Sequence, residues 1–192
     1  MNSSSARVVI PDVRVAFVVL AEPKEFKKGD GKPRYSVTAI LPNGSGKDKL
    51  VLDAMHVAAA NKWGEAKAAA AVKSLMQSGR TCLVSGAIKA DKYEGFDDCM
   101  IVSAYSPAPK PPRLYDAEKN PLPLDSTMIY SGCYADVLVD CYADDRYGNR
   151  INAGLLAVRF RRAGDYMGGA RPASADEFET LAGEETIEPD FV

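Results

Sequence analysis

The sequence predicts a mainly β domain with a helical insertion, built as a small barrel or sandwich. Three observations carry that expectation. Residues 7–20, 34–41, 129–143 and 150–162 alternate apolar and polar side chains at the period of a strand. Residues 47–77 are rich in alanine and other helix formers. An apolar content of 46% in 192 residues suits one ordinary core and excludes a collagen-like rod or a disordered scaffold.

In the first stretch Val9, Val13, Val15, Phe17 and Val19 share one face, with Asp12 and Arg14 on the other. A turn-rich loop with Pro23, Gly29, Asp30, Gly31 and Pro33 follows, placing Lys24, Lys27, Lys28 and Lys32 around Phe26. The second strand sets Tyr35, Val37, Ala39 and Leu41 against Arg34, Ser36 and Thr38. After the break at 42–46, one or two helices run to about residue 77, interrupted at Gly64. Residues 81–89 and 99–106 are short strand candidates around a polar segment, 91–98, that holds Lys92, Tyr93 and Phe96. Pro107, Pro109, Pro111 and Pro112 forbid regular pairing, and 113–125 continues as loop. Gly148-Asn149 between the last two runs predicts a hairpin, and Cys133, Ala135, Val137, Val139 and Cys141 give its first strand a small apolar face for the core. About five strands, a helical insertion and a closing hairpin fit the OB-fold, a five-stranded Greek-key barrel that grips nucleic acid with its first and last long loops. One feature departs from the commonest layout: the helical segment follows the second strand rather than the third.

The net charge of -2 conceals an uneven distribution. Residues 176–192 hold Asp176, Glu177, Glu179, Glu184, Glu185, Glu188 and Asp190 with no Lys or Arg, while residues 1–175 carry 24 basic against 19 acidic side chains, a net of +5. Residues 1–172 are therefore expected to form the folded, mildly basic domain. Residues 173–192, poor in apolar side chains, are expected to form a disordered acidic tail. The tail suits competition with nucleic acid for a basic groove, and presentation of Asp190 and Phe191 to partner proteins. No run approaches the ~18–20 apolar residues of a membrane helix, and residues 1–7 lack a secretory apolar core, so a cytoplasmic protein is expected.

Catalytic machinery is not visible. His56, the single histidine, sits on a helical stripe with Leu52, Ala59, Ala60 and Trp63, and neither a nucleophile elbow nor a phosphate-cradling loop is present. Asp136 and Asp140 share a strand face, but four residues separate them by ~13 Å, too far to share metal ions ~4 Å apart. Asp97-Asp98 and Asp144-Asp145 read as turn residues. Cys82, Cys99, Cys133 and Cys141 lack metal-site or disulfide spacing. The sequence assigns no catalytic residue, no metal and no cofactor, and predicts a non-enzyme. A metal-dependent nuclease and a virion structural or assembly β domain are the rival readings.

Binding single strands without reading sequence requires cations for phosphates and aromatic faces for bases. Both are interleaved here: Lys24, Phe26, Lys27, Lys28, Lys32 and Arg34 around the first loop; Lys89, Lys92, Tyr93 and Phe96 in the middle one; Arg146, Tyr147 and Arg150 at the hairpin; and Arg159 and Arg161 on the last strand. The strand tyrosines Tyr105, Tyr134 and Tyr142 are weaker stacking candidates.

Several segments together resemble a known family. They are Glu22-Pro23-Lys24, Gly31-Lys32-Pro33-Arg34-Tyr35-Ser36-Val37, Tyr130-Ser131-Gly132-Cys133-Tyr134, Gly148-Asn149-Arg150-Ile151-Asn152-Ala153-Gly154-Leu155, and Gly168-Gly169-Ala170-Arg171-Pro172-Ala173-Ser174-Ala175-Asp176-Glu177-Phe178. In order and spacing they are similar to bacteriophage single-stranded-DNA-binding proteins. The resemblance implies an OB-fold that binds single-stranded DNA, with duplex DNA as a further ligand, in phage replication, recombination or repair. Replication or recombination proteins are the expected partners of the acidic tail, no membrane partner is expected, and the sequence leaves a homo-oligomer open. Phe191 is followed by Val192, whereas the similar replication proteins end on their aromatic residue.

Overall fold

A computed structural model of the chain describes residues 5–25 and 31–168. The first strand, β1 (Arg7–Lys24), is long enough to serve two neighbours. Its first half lies antiparallel to β7 (Tyr134–Asp144) and its second half to β2 (Arg34–Pro42). β2 pairs along its whole length with β4 (Cys99–Pro107), and β7 pairs with β8 (Arg150–Arg162) around the expected hairpin turn. A short parallel contact, Ala104 to Ala153 and Tyr105 to Gly154, joins β4 to β8 and closes the five strands into the OB-fold barrel.

The remaining elements decorate that barrel. β3 (Leu83–Ser85) lies outside β4, β5 (Arg113–Tyr115) runs beside β8, and β6 (Pro121–Leu122) pairs with β5. Helices α1 (Lys47–Trp63) and α2 (Glu65–Gln77) follow the second barrel strand, as the sequence order requires, and meet at Gly64, whose φ of 91° supplies the break. α1 buries Val51, Met55, Ala58 and Ala59 at helical spacing and packs on β7 and β1. His56 is half-buried on that helix. Cys133, Ala135, Val137, Val139 and Cys141 all face the core, and Cys82 and Cys99 are also buried free thiols.

Three expectations are corrected. Within 81–89 only Leu83–Ser85 is strand, and Ala87–Ala90 forms a helical turn, α3. The 113–125 loop carries the two short strands β5 and β6. In β1, strict alternation fails: Val9 is 49% exposed while Ile10 is fully buried. The register slips between Ile10 and Val13, where Asp12 adopts φ 46°, and again between Ala16 and Val19, where Phe17 adopts φ 49°. A bulge inserts a residue, so it resets which side of the strand faces the core, and a period-2 count cannot anticipate it.

The first bulge is held by charge. The Asp12 amide donates to Asp136 Oδ1 at 2.9 Å, the Lys47 ammonium donates to the Asp12 carbonyl at 2.6 Å, and Arg162 pairs with the Asp12 carboxylate at 3.2 Å. Side chains from β7 and α1 thus satisfy backbone groups that the interrupted ladder leaves unpaired, and β8 supplies a counter-charge to the Asp12 carboxylate.

Candidate nucleic-acid interface

On the outer side of β2 and β4 the cross-strand rungs are Arg34 with Pro107, Ser36 with Tyr105 and Thr38 with Ser103, and the next, Ile40 with Ile101, is buried with Phe96. At the end nearest the first loop, the Arg34 guanidinium lies 4.8 Å from the centroid of the Tyr105 ring. The hydroxyls of Tyr105 and Tyr142 are hydrogen-bonded at 2.9 Å across the β4–β8 seam. Burial, and then the bond to Tyr105, pushes the Tyr142 hydroxyl up, so it stays neutral at any physiological pH. Lys24 stands opposite Arg34 in the β1–β2 ladder and is exposed, and Lys32 is exposed in the approach to β2.

At the other end of this face an aromatic group replaces the hydroxyls. Phe17, turned outward by the second bulge, stacks on Phe96 at 5.6 Å and meets Tyr93 edge-on at 4.9 Å. The Lys89 ammonium lies 4.4 Å from the centroid of the Phe17 ring. Tyr93 is 46% exposed and, with Lys92, Arg14 and Tyr166, lines a groove of about 820 Å³. Phe96 is corrected as a stacking candidate: at 1% exposure it belongs to a small core with Ala16, Ile40, Cys99 and Ile101, and it supports Phe17 from behind.

Residues 165–168 wall that groove. Arg14 donates to the Asp165 carbonyl at 2.8 Å, Met167 N to the Ser131 carbonyl at 2.8 Å, and the Tyr130 hydroxyl to the Gly164 carbonyl at 2.8 Å. Gly132 makes the close approach possible: its φ is 115°, and a Cβ there would fall 2.0 Å from the Asp165 carbonyl oxygen. Gly132→Ala is therefore expected to cost about 1–3 kcal/mol and to unseat this segment. Faster trypsin cleavage after Arg161 and Arg162, together with a lower melting temperature, would show it.

The hairpin turn lies beside Tyr142. Tyr147 is 80% exposed there, and the Arg80 guanidinium donates to its carbonyl at 3.2 Å. Arg150 is exposed, while Arg146 bonds Asp144 through Nε and Nη2 at 3.1 and 2.9 Å and holds that carboxyl down to about 2. The Arg146 side chain keeps 75% of its exposure, so its remaining N–H groups stay open to a phosphate.

Arg159 and Arg161 are corrected. Both are bonded to Asp136, Arg161 through Nε at 2.7 Å, and Asp136 is only 5% exposed. Burial alone would raise this carboxyl, but Arg161, the Asp12 amide and Arg159 outweigh it and hold the group below the usual carboxylate range. The two arginines neutralise a buried acid six residues along β7 from Tyr142, ~20 Å away, and do not join the β2–β4 face. The same contacts commit Asp136 to a structural role. Among the described residues no group of three or more His, Cys, Asp or Glu could hold a metal ion, and no helix is long and apolar enough to cross a membrane.

The structure thus brings Lys24, Lys32, Arg34, Arg146, Tyr147 and Arg150 around one end of the face and Lys89, Lys92 and Tyr93 around the other. Phe26, Lys27 and Lys28 lie outside the described residues, as do Asp176, Glu177, Glu184, Glu185, Glu188, Asp190 and Phe191 of the tail. Sequence reasoning missed Phe17 and Arg14 and undervalued Tyr105 and Tyr142. Phe17 looked like core because the bulge was invisible, whereas the outward alternation of Arg34, Ser36 and Thr38 already marked the side of β2 on which Tyr105 would be found.

Comparison with known proteins gives the same architecture. The single-stranded-DNA-binding protein of bacteriophage Enc34, solved in complex with single-stranded DNA, superposes with a TM-score of 0.70 at 21% identity, covering 85% of this chain and 90% of that one. Another structure of the Enc34 protein gives 0.67 at 20% identity, covering 91% and 90%. gp2.5, a single-stranded-DNA-binding protein encoded by bacteriophage T7, gives 0.57 at 13% identity, covering 95% and 100%. No curated protein sequence matches the chain. The model of the Enterobacter phage Enc34 single-stranded-DNA-binding protein family matches residues 6–192, and the chain belongs to that family.

Proposed function

We propose that this protein binds single-stranded DNA along the outer face of β2 and β4 without reading its sequence, and that it coats exposed strands during phage DNA replication, recombination and repair in the host cytoplasm. The observation that carries this reading is the pairing of a cation with an aromatic ring at two places on one strand face, Arg34 with Tyr105 and Lys89 with Phe17, with the hydroxyl residues Ser36 and Ser103 between them. Stacking accepts any base and cations accept any phosphate, so the arrangement favours affinity over sequence discrimination. The same physics admits duplex DNA more weakly, because paired bases cannot reach the rings. The protein carries no catalytic chemistry of its own in this reading.

With about six phosphates neutralised, log K for an oligo-dT is expected to fall against log[salt] with a slope near about -4. Fluorescence anisotropy titration measures it, and a flat response contradicts the proposal. The acidic segment from Asp176 to Asp190 is proposed to compete with phosphates for these cations and to present Phe191 to replication or recombination proteins. Removing residues 176–192 should tighten DNA binding, most at low salt, while weakening those partnerships. Unchanged DNA affinity in the truncated protein would remove the competing role.

A further inference from the structure

Three cations lie over aromatic rings among the described residues, and two of them, at the β2–β4 face, sit where a base would. Lys89 covers the Phe17 ring at 4.4 Å and Arg34 covers the Tyr105 ring at 4.8 Å. The back of Phe17 is braced by Phe96, 5.6 Å away at an interplanar angle of 29°, and Phe96 is itself buried. Phe17 holds this position at φ 49°, a left-handed conformation that a bulky side chain adopts only where the surroundings enforce it. The fold therefore spends backbone strain to put a supported ring on the outside of the barrel and then lays a lysine over its front. Tyr105 is a counterpart on β4, tied by its hydroxyl to Tyr142 with Arg34 over it.

Both rings are half-buried, with one face outward; a cation over that face gains less than a base stacked on it, and a phosphate oxygen offers that cation a charge-assisted bond. Exchanging one arrangement for the other is downhill when a polynucleotide supplies base and phosphate together. We propose that Lys89 and Arg34 are placeholders on two base platforms, Phe17 and Tyr105. An incoming single strand displaces each cation from its ring, a base takes the ring face, and the cation moves to the neighbouring phosphate. The proposal rests on the DNA-binding reading above and specifies how that face is loaded. Phe17 lies on β1 between Ala16, opposite Thr38, and Val19, opposite Ser36, while Tyr105 lies opposite Ser36 on the other side of β2, so one strand separates the two platforms.

The test uses the full-length protein with ¹³C-labelled lysine and oligo-dT. In the free protein the Lys89 ε-methylene resonance is expected to be shifted upfield by the Phe17 ring current, and saturation with oligo-dT should return it to the position of a solvated lysine. A resonance that stays upfield at saturation overturns the proposal. Lys89→Ala supplies a second readout against salt. At about 50 mM salt the variant should bind several-fold more weakly than wild type because it has lost a phosphate contact. Near 1 M salt that contact is screened and the uncovered ring is free, so the variant should bind about two- to five-fold more tightly. A loss of the same factor at every salt concentration makes Lys89 a plain phosphate ligand and overturns the placeholder role. If wild type shows no oligo-dT binding even at low salt, the DNA-binding reading falls and this proposal with it, whereas tight binding with an unmoved Lys89 removes this proposal alone.

Discussion

Tyr105→Ala is expected to weaken oligo-dT binding by about 1–3 kcal/mol, roughly five-fold to over a hundred-fold, with little change in the salt slope. Tyr105 projects from the outer face of β4 near its end, opposite Ser36 in the ladder and within reach of both Arg34 and Tyr142. Truncation removes the π-face but no charge, so the number of counterions released on binding is unchanged. Tyr105→Phe keeps the ring and gives up only the hydroxyl bond to Tyr142, and it should stay close to wild type. Competition anisotropy on the pair separates the two contributions. Equal losses in both variants would show that the hydroxyl network, rather than stacking, carries the affinity.

The second large effect concerns stability. Asp136→Asn leaves Arg159 and Arg161 without their shared carboxylate and weakens the acceptor for the Asp12 amide at the first bulge. Breaking a buried ion pair costs about 3–5 kcal/mol. The side chains of Arg159 and Arg161 retain 29% and 44% of their exposure and can partly rehydrate, which reduces the expected loss to about 2–4 kcal/mol. For a domain of this size that is a fall of about 5–15 °C in melting temperature. The pH dependence has a definite sign. The folded-state Asp136 carboxyl lies below its ordinary value, so its contribution is complete above the unfolded pKa of about 3.9 and fades as pH drops through the lower, folded value. Wild type and variant should differ fully at pH 7 and converge below about pH 4. A constant gap down to strongly acid pH would mean that the loss comes from packing rather than charge. DNA affinity at neutral pH should survive in the folded variant, because this network is separate from the β2–β4 face.

Much of this fold was legible in the sequence because barrel strands buried on one side must alternate. The closing hairpin shows it best: Cys133, Ala135, Val137, Val139 and Cys141 could face only a core, and they do. The order of elements, with helices after the second strand, could also be read directly. What escaped were the positions where alternation breaks. Asp12 and Phe17 hold positive φ values stabilised by partners 35 to 150 residues away or by the Phe96 cluster, and no local window contains those partners. The same blindness affected the site. Composition identified Arg159 and Arg161 as cations, but only the pairing of β7 with β8 shows that Asp136 lies between them and already holds both. Lysines and arginines next to turns, such as Lys24, Arg34 and Lys89, were easier to single out because turn residues are a local signal.

Amide chemical-shift mapping during titration with a short oligo-dT tests the central claim most directly. The face described above predicts that the largest changes fall on Ser36, Thr38, Ser103, Tyr105, Lys89 and Tyr93, while Leu138, Ala157 and Arg159, across the barrel, stay in place. Perturbations concentrated on that second set, with the β2–β4 amides unmoved, would contradict it.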